Sequence, residues 1–369
     1  MINKELERLK KFWKNKKVFL TGHSGFMGSW LIIFLDLLGA QVFGYSSKNY
    51  PSSNVYKKCK LSDLIYKSQE GDIRDIKKLK KAIKKFKPDF LFHFAAQSLV
   101  RKSYLNPLLT YDINILGTLN VLEVLKELNI VKNALVVTTD KVYDNNNNFK
   151  YFKESDVIAG NDPYANSKAC ADSIVNLYNF SFLKKKNIIV STARTGNIIG
   201  GGDIAENRII PDYFRALRNN KKLLIRFPNS VRPWQHVIEP LHGYLLLMQK
   251  QYDKDSIFYE KNNTWNFGPN NNNNKSVEKI IEILNKFYNY KVKVVKASKK
   301  NFYESKILML NSNKAKENLG WKGTLSIEET IKMIHEWEKN IIFKSNLISL
   351  SKKQIVSYLE KYKISPKNY

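Results

Sequence analysis

The sequence predicts an α/β protein with a doubly wound parallel sheet and a second, smaller α/β lobe. Three observations support this fold class. A short apolar strand, a glycine-rich turn and a helix open the chain, apolar strands and helices then alternate up to about residue 200, and loops and shorter elements follow. Repeated β-α units with apolar strands are typical of a parallel sheet with helices on both faces.

The first unit of this fold is the most informative one. A strand over 17–21 leads into the turn 22–28, which has glycine at every third position, and a helix over 29–38 ends at Gly39. A second strand follows over 40–45. Glycines permit a tight turn and a close backbone approach, and the amides at a helix N-terminus attract phosphate. This unit predicts a Rossmann-type site for a dinucleotide.

Later elements continue the alternation. The predicted strands lie over 89–95, 133–139 and 188–195, and the predicted helices over 107–128, 164–184, 276–289 and 327–340. Ser326 and Glu329 form a capping box before the last helix. We expect the dinucleotide domain over 1–200, with 231–250 returning to it, a smaller lobe over 201–230 and 251–340, and a helical tail over 341–369.

The composition fits a soluble globular chain. The chain has 369 residues, 43% of them hydrophobic and 26% charged, so it is long enough to bury a sizeable core. Cys59 and Cys170 are far apart, which argues against a disulfide scaffold or a thiolate zinc site and fits a reducing cytoplasm. The charged N-terminus is not a signal peptide, and the longest apolar run, over 30–38, is too short to span a membrane.

The net charge of +29 has two explanations, an anionic partner such as nucleic acid or a lysine- and asparagine-rich coding bias. We favour the bias. Lysines over 76–87 fill one side of a predicted helix whose apolar residues recur at helical spacing, as on a solvated face. The asparagine runs 145–148 and 270–274 are expected to be surface loops. No nucleic-acid partner is therefore expected.

Tyr164 and Lys168 start a long predicted helix. Their spacing of four residues places both side chains on one face, where the lysine cation favours a tyrosine phenolate. Such a tyrosine takes a proton from a hydroxyl while hydride leaves the carbon. Thr139, Asp140 and Lys141 end a parallel strand, where ligand sites of α/β proteins form. The alternatives are an ordinary amphipathic helix and a polar strand end that faces water.

These motifs together resemble a known family. The segments TGHSGFMG, GDIRD, HFAAQS, NILGT, TTDK and YANSK follow the order seen in extended short-chain dehydrogenases that act on nucleotide sugars. Within that group, TTDKVY, DPYANSKA, RTGNIIGGGDIAENRIIPD and RPWQHVIEPLHGYLLL resemble the CDP-glucose 4,6-dehydratase family. The resemblance covers residues 11–340 in one register.

The resemblance implies an internal redox reaction that ends in loss of water. Tyr164 deprotonates the glucose 4-hydroxyl as C4 hydride passes to a tightly bound NAD, while Lys168 supports the phenolate and Thr139 bonds the reacting oxygen. Asp140 protonates the departing C6 hydroxyl, and the hydride returns to C6. The product is CDP-4-keto-6-deoxyglucose, which supplies deoxysugars for surface polysaccharide such as O-antigen. NAD is regenerated in each turnover, and no metal is implied.

Lys141 stands where related dTDP-glucose dehydratases carry a glutamate that serves as the C5 base. Asp140 favours the charged form of the lysine, while burial, Lys168 and oxidised nicotinamide favour the neutral form. We expect the neutral form in the closed complex, which makes Lys141 the C5 base. The competing interpretation is a charged Lys141 that stabilises the enolate.

The resemblance also implies the residues that contact the ligands. The expected cofactor contacts, besides Tyr164 and Lys168, are Thr21, Gly22, Gly25, Phe26, Met27, Gly28, Asp72, Ile73, Ala95, Ala96 and Gln97. The expected substrate contacts are Ser98, Arg101, Asn197, Arg208, Arg232, Trp234 and His236. His236 alternatively belongs to the core, and Asn114 is expected to brace the active-site strands. The second strand lacks the acidic residue that usually binds the adenosine ribose, and Lys48 nearby leaves NADP open.

Family likeness further implies a cytoplasmic homodimer, or a higher homo-oligomer, that pairs through the helices over 107–128 and 164–184. Two other functions remain open. One is an epimerase or a dehydratase of the same fold with another nucleotide, because one fold hosts many chemistries. The other is a catalytically inactive RNA-binding protein, against which Thr139, Tyr164 and Lys168 argue.

Overall fold

The structure is a computed structural model. It describes residues 3–146, 149–253, 256–259, 263–287, 292–296, 303–343 and 346–362. The strands are β1 (Lys17–Thr21), β2 (Gln41–Ser46), β3 (Lys67–Glu70), β4 (Phe90–His93), β5 (Asn133–Val137), β6 (Tyr151–Phe152), β7 (Ile189–Thr195), β8 (Asn197–Ile199), β9 (Leu223–Ile225), β10 (Val231–His236), β11 (Thr264–Phe267), β12 (Asn274–Ser276), β13 (Val294–Lys296) and β14 (Met309–Leu310).

The α-helices are α1 (Lys4–Trp13), α2 (Phe26–Leu37), α3 (Asn54–Lys58), α4 (Ile76–Phe86), α5 (Val100–Leu105), α6 (Pro107–Tyr111), α7 (Gly117–Leu128), α8 (Pro163–Tyr178), α9 (Ile209–Arg218), α10 (Ile238–Tyr252), α11 (Val277–Lys286), α12 (Asn313–Leu319), α13 (Ile327–Ile342) and α14 (Leu347–Lys361). Two π-helical turns continue α6 and α8, over Asp112–Leu116 and Asn179–Leu183. Short 3₁₀ turns lie at Leu61–Asp63, Asp140–Val142, Lys184–Lys186, Ser256–Tyr259 and Asn271–Asn273.

A seven-stranded sheet organises the large domain. Its strand order is β11-β7-β5-β4-β1-β2-β3, and every neighbouring pair is parallel. The chain turns in opposite directions from β1, towards β2 on one side and towards β4 on the other. Ligands bind at the carboxyl ends of the strands at such a switch point. The predicted fold class is confirmed.

Helices cover both faces of this sheet. On one face, α1, α2, α10 and α14 bury a core that includes Trp13, Trp30, Leu245 and Tyr358. On the other face, α4, α7 and α8 pack over β1, β4 and β5 around a second buried cluster. The lysines of α4 lie on its outer side, while Leu79, Ala82, Ile83 and Phe86 are buried, as its spacing predicts.

The smaller lobe has its own core, formed by residues of α9, β9, β10, α11 and α13. Of the segment 231–250 that was expected to return to the large domain, α10 packs there against β5, β7 and α2, whereas β10 pairs with β8 and β12 and belongs to the lobe. Ser326 and Glu329 form the capping box of α13, as predicted. The predicted boundary is wrong at β11, which pairs with β7 as an edge strand of the large sheet instead of belonging to the lobe. This strand has only four residues, too few to show the pattern of a buried strand in the sequence.

By length and composition, the helix over 107–128 is long and apolar enough to cross a membrane. Counting only uninterrupted apolar runs in the sequence does not identify it. Half of its most apolar stretch is buried inside the fold. Its α7 segment packs against α4 and α8 beside the sheet. These contacts explain its apolar character as that of a core helix.

One local expectation, that of the asparagine runs, needs correction. The asparagine runs are not wholly surface loops, since Asn145 donates to Ile307 O at 2.8 Å and buried Asn273 donates to Leu325 O at 2.8 Å. An asparagine amide substitutes for a backbone partner in such places, and composition alone does not reveal it. The C-terminal tail does form a helix, α14, which packs against α2 and α13.

Candidate active site

A cavity of about 660 Å³ opens at the carboxyl ends of the large sheet, between the domain and the lobe. Residues after β1, β4 and β5 line one side of it, and residues of α9, β9 and β10 line the other. Most of the predicted site residues meet here. They are Gly22, Gly25, Phe26, Met27, Gly28, Asp72, Ile73, Ala95, Ala96, Ser98, Arg101, Thr139, Asp140, Lys141, Tyr164, Lys168, Asn197, Arg208, Arg232 and Trp234.

The glycine-rich turn forms one end of the cavity. Gly22 has a φ of +71°, and a Cβ there would lie 2.7 Å from Ala95 N. A Cβ on Gly28 would lie 2.4 Å from Gly22 O, so both positions need glycine. Helix α2 begins after Gly25, and no side chain caps its N-terminus. These open amides and the bare turn fit the pyrophosphate of a dinucleotide.

Thr21 and Gln97 do not line the cavity, contrary to the expectation of direct cofactor contact. Thr21 Oγ1 lies 2.7 Å from His93 Nδ1 and accepts from Phe94 N and Ala95 N. It therefore holds the backbone of the loop after β4 without lining the cavity. Gln97 is buried, and its amide group bonds to Leu99 and Thr110. Both side chains turn inwards because buried polar groups need hydrogen-bond partners.

Asp72 and Ile73 lie at the far end of this half of the cavity. The Asp72 carboxylate accepts from Arg74 Nη2 at 2.7 Å, and this hydrogen bond lowers its pKa. Tyr45 Oη donates to Asp72 O at 3.2 Å. Exposed Lys48 lies 3.4 Å from Glu70, so the lysine that left NADP open has a carboxylate partner.

Thr139, Tyr164 and Lys168 form the reactive edge of the cavity. Tyr164 and Thr139 share a side-chain hydrogen bond, and Lys168 Nζ donates to Val137 O at 2.9 Å. Burial lowers the pKa of Lys168 to about 8. Burial also raises the pKa of Tyr164 to about 12, against the opposing effects of Thr139 and of the charge of Arg208, so the lowering expected from the cation of Lys168 does not appear in this state. The tyrosine hydroxyl therefore keeps its proton until a ligand changes its surroundings.

Asp140 is a buried carboxyl group beside this edge. Its Oδ1 accepts from Thr139 Oγ1 at 3.2 Å, while its Oδ2 has no hydrogen-bond partner among the described residues. Burial raises the pKa of Asp140 to about 6, against the opposing charges of Lys141 and Arg232. A carboxyl group near this value carries a proton in part of the molecules near neutral pH. It is suited to protonate a leaving group.

Lys141 is held by carboxylates. Its Nζ lies 2.9 and 3.1 Å from the two carboxylate oxygens of Glu304 and 3.9 Å from Asp162 Oδ2. Glu304 also accepts from Arg232, which donates in addition to Val231 O and Ser305 O. Arg232 thus lines the cavity with a guanidinium group that protein acceptors already engage.

Three other arginines gather at the lobe side of the cavity. Arg101 and Arg226 both donate to Asn207 Oδ1, at 2.9 and 3.3 Å, and Arg208 donates to Ser98 Oγ at 3.2 Å. Burial and the charge of Arg101 lower the pKa of Arg226, which shows the cost of grouping these cations. Cations grouped in this way bind an anion such as a diphosphate well.

Trp234 and His236 both lie on β10, but only the first reaches the cavity. Trp234 is nearly buried and donates to Lys275 O at 2.9 Å. His236 is fully buried, with its ring edge-on to Trp30 at 5.6 Å between centroids. The expected substrate contact of His236 is therefore wrong, and the alternative of a core histidine is right. Residues two positions apart on a strand face the same side, so both rings lie on one face of β10, and His236 is buried there because it packs against Trp30 of α2.

A second layer of polar contacts holds the site in place. Asn114, in the π-helical turn after α6, accepts from Gln97 N at 2.8 Å and donates to Ser167 Oγ at 2.9 Å. It thereby ties the loop after β4 to helix α8, the bracing role expected of it. Buried Asp172 binds Arg194 and accepts from Thr138 Oγ1 at 3.0 Å. Thr138 is thus fixed directly before Thr139.

Sequence reasoning missed Arg226 and Glu304. Arg226 directly follows the apolar strand β9, and a cation at a strand end is a signal that could have been used. Glu304 lies in a loop whose flanking sequence contains several lysines and a tyrosine, and nothing in its spacing distinguishes it from a surface carboxylate.

Comparisons with known proteins place this architecture among nucleotide-sugar enzymes. The family model described as GDP-mannose 4,6 dehydratase matches residues 19–334. The chain is 39% identical over 355 residues to the CDP-glucose 4,6-dehydratase of Salmonella typhimurium, which covers 95% of this chain and 98% of that protein.

Solved structures show the same fold at lower identity. The dTDP-glucose 4,6-dehydratase of Bacillus anthracis, solved with NAD, matches with a TM-score of 0.72 and 23% identity, over 88% of this chain and 97% of that one. The UDP-glucose 4-epimerase of Thermotoga maritima, solved with UDP-glucose, matches with a TM-score of 0.76 and 20% identity, over 88% and 99%.

Proposed function

The chain belongs to the GDP-mannose 4,6 dehydratase family, and from this premise we propose that it is an NAD-dependent CDP-glucose 4,6-dehydratase. It is a hydro-lyase that converts CDP-glucose to CDP-4-keto-6-deoxyglucose and water. One observation carries the proposal. The residues suited to oxidise C4, which are Thr139, Tyr164 and Lys168, line the same cavity as Asp140, the acid suited to expel the hydroxyl group.

The cavity has the features that NAD requires. The open amides at the start of α2 and the bare turn at Gly22 suit its pyrophosphate, and Asp72 and Ile73 lie where its adenine end would reach. Lys168 would hold the nicotinamide ribose. When bound, NAD accepts a hydride from C4 of the sugar and returns it to C6, so that no cofactor is consumed.

Tyr164 and Thr139 carry out the acid–base part of C4 oxidation. Thr139 positions the sugar 4-hydroxyl beside the tyrosine oxygen with which it already shares a hydrogen bond. Tyr164 takes the hydroxyl proton, and the Lys168 ammonium stabilises the phenolate that this requires. The protonated tyrosine seen here has to lose its proton as the charged ligands fill the cavity, because burial alone disfavours the phenolate.

Asp140 carries out the elimination. The 4-keto group acidifies the C5 proton, and loss of that proton expels the C6 hydroxyl, which leaves as water once Asp140 protonates it. The free Oδ2 of Asp140 and its pKa of about 6 suit this task. Lys141 serves the same step, either as the base at C5 or as the cation beside the enolate.

The arginines favour a nucleoside diphosphate sugar as the substrate. Arg101, Arg208 and Arg226 converge at the lobe side of the cavity, and guanidinium forks match phosphate oxygens. The choice of cytidine rests on the 39% identity with the Salmonella enzyme over nearly the full length. A 4-keto-6-deoxy product retains a reactive carbonyl group, so it suits further enzymes that make deoxysugars.

Epimerization is the second candidate, because epimerases share the fold. Asp140 argues against it. A C4 epimerase needs no acid to expel a hydroxyl group, and a buried carboxyl group with an unpaired oxygen is unfavourable unless a function retains it.

We further propose a homodimer in the cytoplasm. Large apolar side chains are exposed on α5, α8 and the long helix after α5: Leu105, Leu108, Leu116, Leu177, Phe180 and Phe182. Exposed apolar patches of this kind mark association surfaces. Pairing of these helices between two copies would cover them. Free Cys59 and Cys170 fit a reducing compartment.

The test is to incubate the purified protein with NAD and, separately, CDP-, dTDP-, UDP- and GDP-glucose. The proposal predicts a product lighter by one water from CDP-glucose, with the carbonyl at C4 by NMR. Conversion of a different nucleotide sugar would overturn the substrate, and an unchanged mass with altered C4 configuration would establish the epimerase.

A further inference from the structure

Among the described residues, Glu304 is the one carboxylate of the lobe that contacts Lys141, which follows Thr139 and Asp140 at the end of the strand. It lies in the segment before β14, 163 positions after Lys141. Both of its oxygens accept from Lys141 Nζ, at 2.9 and 3.1 Å, and Oε1 also accepts from Arg232. The three side chains line the same cavity.

This arrangement differs from an ordinary surface ion pair. The exposed fractions of the side chains are 16% for Lys141, 21% for Glu304 and 4% for Arg232. Exposed pairs contribute little, whereas removal of one partner from a sheltered pair leaves an uncompensated charge. Arg232 is itself fixed by two backbone carbonyls, so it anchors the carboxylate in one place.

Burial alone would raise the pKa of Glu304, but the charges of Lys141 and Arg232 together lower it to about 2. The carboxylate is therefore ionised at every pH at which the enzyme would be assayed. It places a fixed negative charge 2.9 Å from Lys141 Nζ.

The other acidic groups near Lys141 are Asp162, whose Oδ2 lies 3.9 Å from Nζ, and the adjacent Asp140, whose carboxyl group is affected by the charge of Lys141. Of the carboxyl groups, burial raises the pKa of both Asp140 and Asp162. Glu304 is thus the acidic neighbour of Lys141 whose charge is least sensitive to pH.

We propose that Glu304 is a positioning residue for the elimination step: together with Arg232 it holds the Lys141 amino group in place beside Asp140 in the cavity. This inference rests on the proposed dehydratase function. It does not depend on which of the two roles Lys141 has, because in either role the amino group must lie beside C5 of the sugar. The lobe thereby supplies an acidic group to the reactive edge.

The test compares the rates of dehydration and of C4 oxidation in the holoenzyme with CDP-glucose. Lys141→Met is expected to slow dehydration and to leave C4 oxidation, followed by the absorbance of reduced nicotinamide, unchanged. Glu304→Gln should slow dehydration by about tenfold with the same split between the two steps, since the amide no longer holds the amino group by a charged contact. In the double variant the two losses should not add, because Glu304 acts through Lys141. Glu317→Gln, an exposed carboxylate on α12, is the matched control and leaves both rates unchanged.

Glu304→Asp, which keeps the charge one methylene further away, is expected to retain more of the dehydration rate than Glu304→Gln does. It replaces that variant as the test if the amide does not fold.

A wild-type dehydration rate in a folded Glu304 variant would overturn the inference, and so would losses that add in the double variant. A wild type that dehydrates no nucleotide sugar would instead overturn the proposed function, which separates the two failures.

Discussion

The two sides of the cavity are built in different ways. On the large domain, Thr139, Tyr164 and Lys168 come from one strand end and the first turns of one helix, and backbone groups such as Val137 O fix them. Across the cavity, Arg208, Arg226 and Glu304 come from separate segments of the lobe, with Arg101 of α5 beside them, and these four side chains bind mainly other side chains.

This difference separates chemistry from recognition. Residues held by regular backbone keep their geometry with or without a ligand, which proton transfer requires. Arginines and carboxylates that satisfy one another can exchange those partners for a ligand, which binding requires. We therefore expect changes on the domain side to affect rate, changes at the arginines to affect substrate affinity, and changes at Glu304 to affect the elimination step through Lys141.

The largest effect is expected from Tyr164→Phe. Loss of the hydroxyl removes the group that takes the 4-hydroxyl proton, and C4 oxidation precedes every later step, so kcat should fall by about 10⁴-fold. Single-turnover formation of reduced nicotinamide measures this step. Tyr178→Phe removes a hydroxyl from the same helix outside the cavity and should keep wild-type activity. A Tyr164→Phe enzyme that oxidises C4 at the wild-type rate would break the comparison.

Asp140→Asn should act on the later step alone, with a loss of about 10²-fold in dehydration and normal C4 oxidation. Since Asp140 has a pKa of about 6 and acts in its protonated form, the wild-type dehydration rate should fall as the pH rises above about 6. The variant should lack this limb. Rapid-quench mass spectrometry would show the 4-keto intermediate accumulating. Equal loss in both steps would instead assign Asp140 a structural role.

Arg226→Leu should raise KM for the nucleotide sugar by about tenfold and leave kcat nearly unchanged, because a lost charge-assisted contact to phosphate weakens binding. Steady-state kinetics separates the two constants. Lys221→Leu removes an exposed cation shortly before β9 and serves as the control. A fall in kcat with KM unchanged would show that the lobe contributes to chemistry after all.

The smallest effect on catalysis is expected from Phe180→Glu on the exposed face of the large domain. A charge in the proposed dimer contact should convert the protein to monomer, seen by light scattering, with C4 oxidation retained, since the face lies outside the cavity. A wild type that is already monomeric would refute the proposed pairing.

The same contrast explains what the sequence could predict. The strand, glycine turn and helix at residues 17–37, and the pair Tyr164 and Lys168, depend on local spacing, and the structure places them as expected. Glu304 and Arg226 reach the site only through long-range packing, which spacing does not encode. Thr21 and His236 lie within recognisable motifs, yet the structure buries both, because a motif does not tell which side of the backbone a residue faces.

The central claim, that one cavity oxidises C4 and then eliminates water, is tested most directly by the reaction with CDP-glucose and NAD in heavy water. Mass spectrometry should show loss of one water, with deuterium from the solvent at C5, because C5 loses its proton in the elimination and is reprotonated from solvent. Asp140→Asn should reduce both changes together. Full retention of the C5 proton in a product that has lost water, or no loss of water from CDP-glucose, would contradict the account.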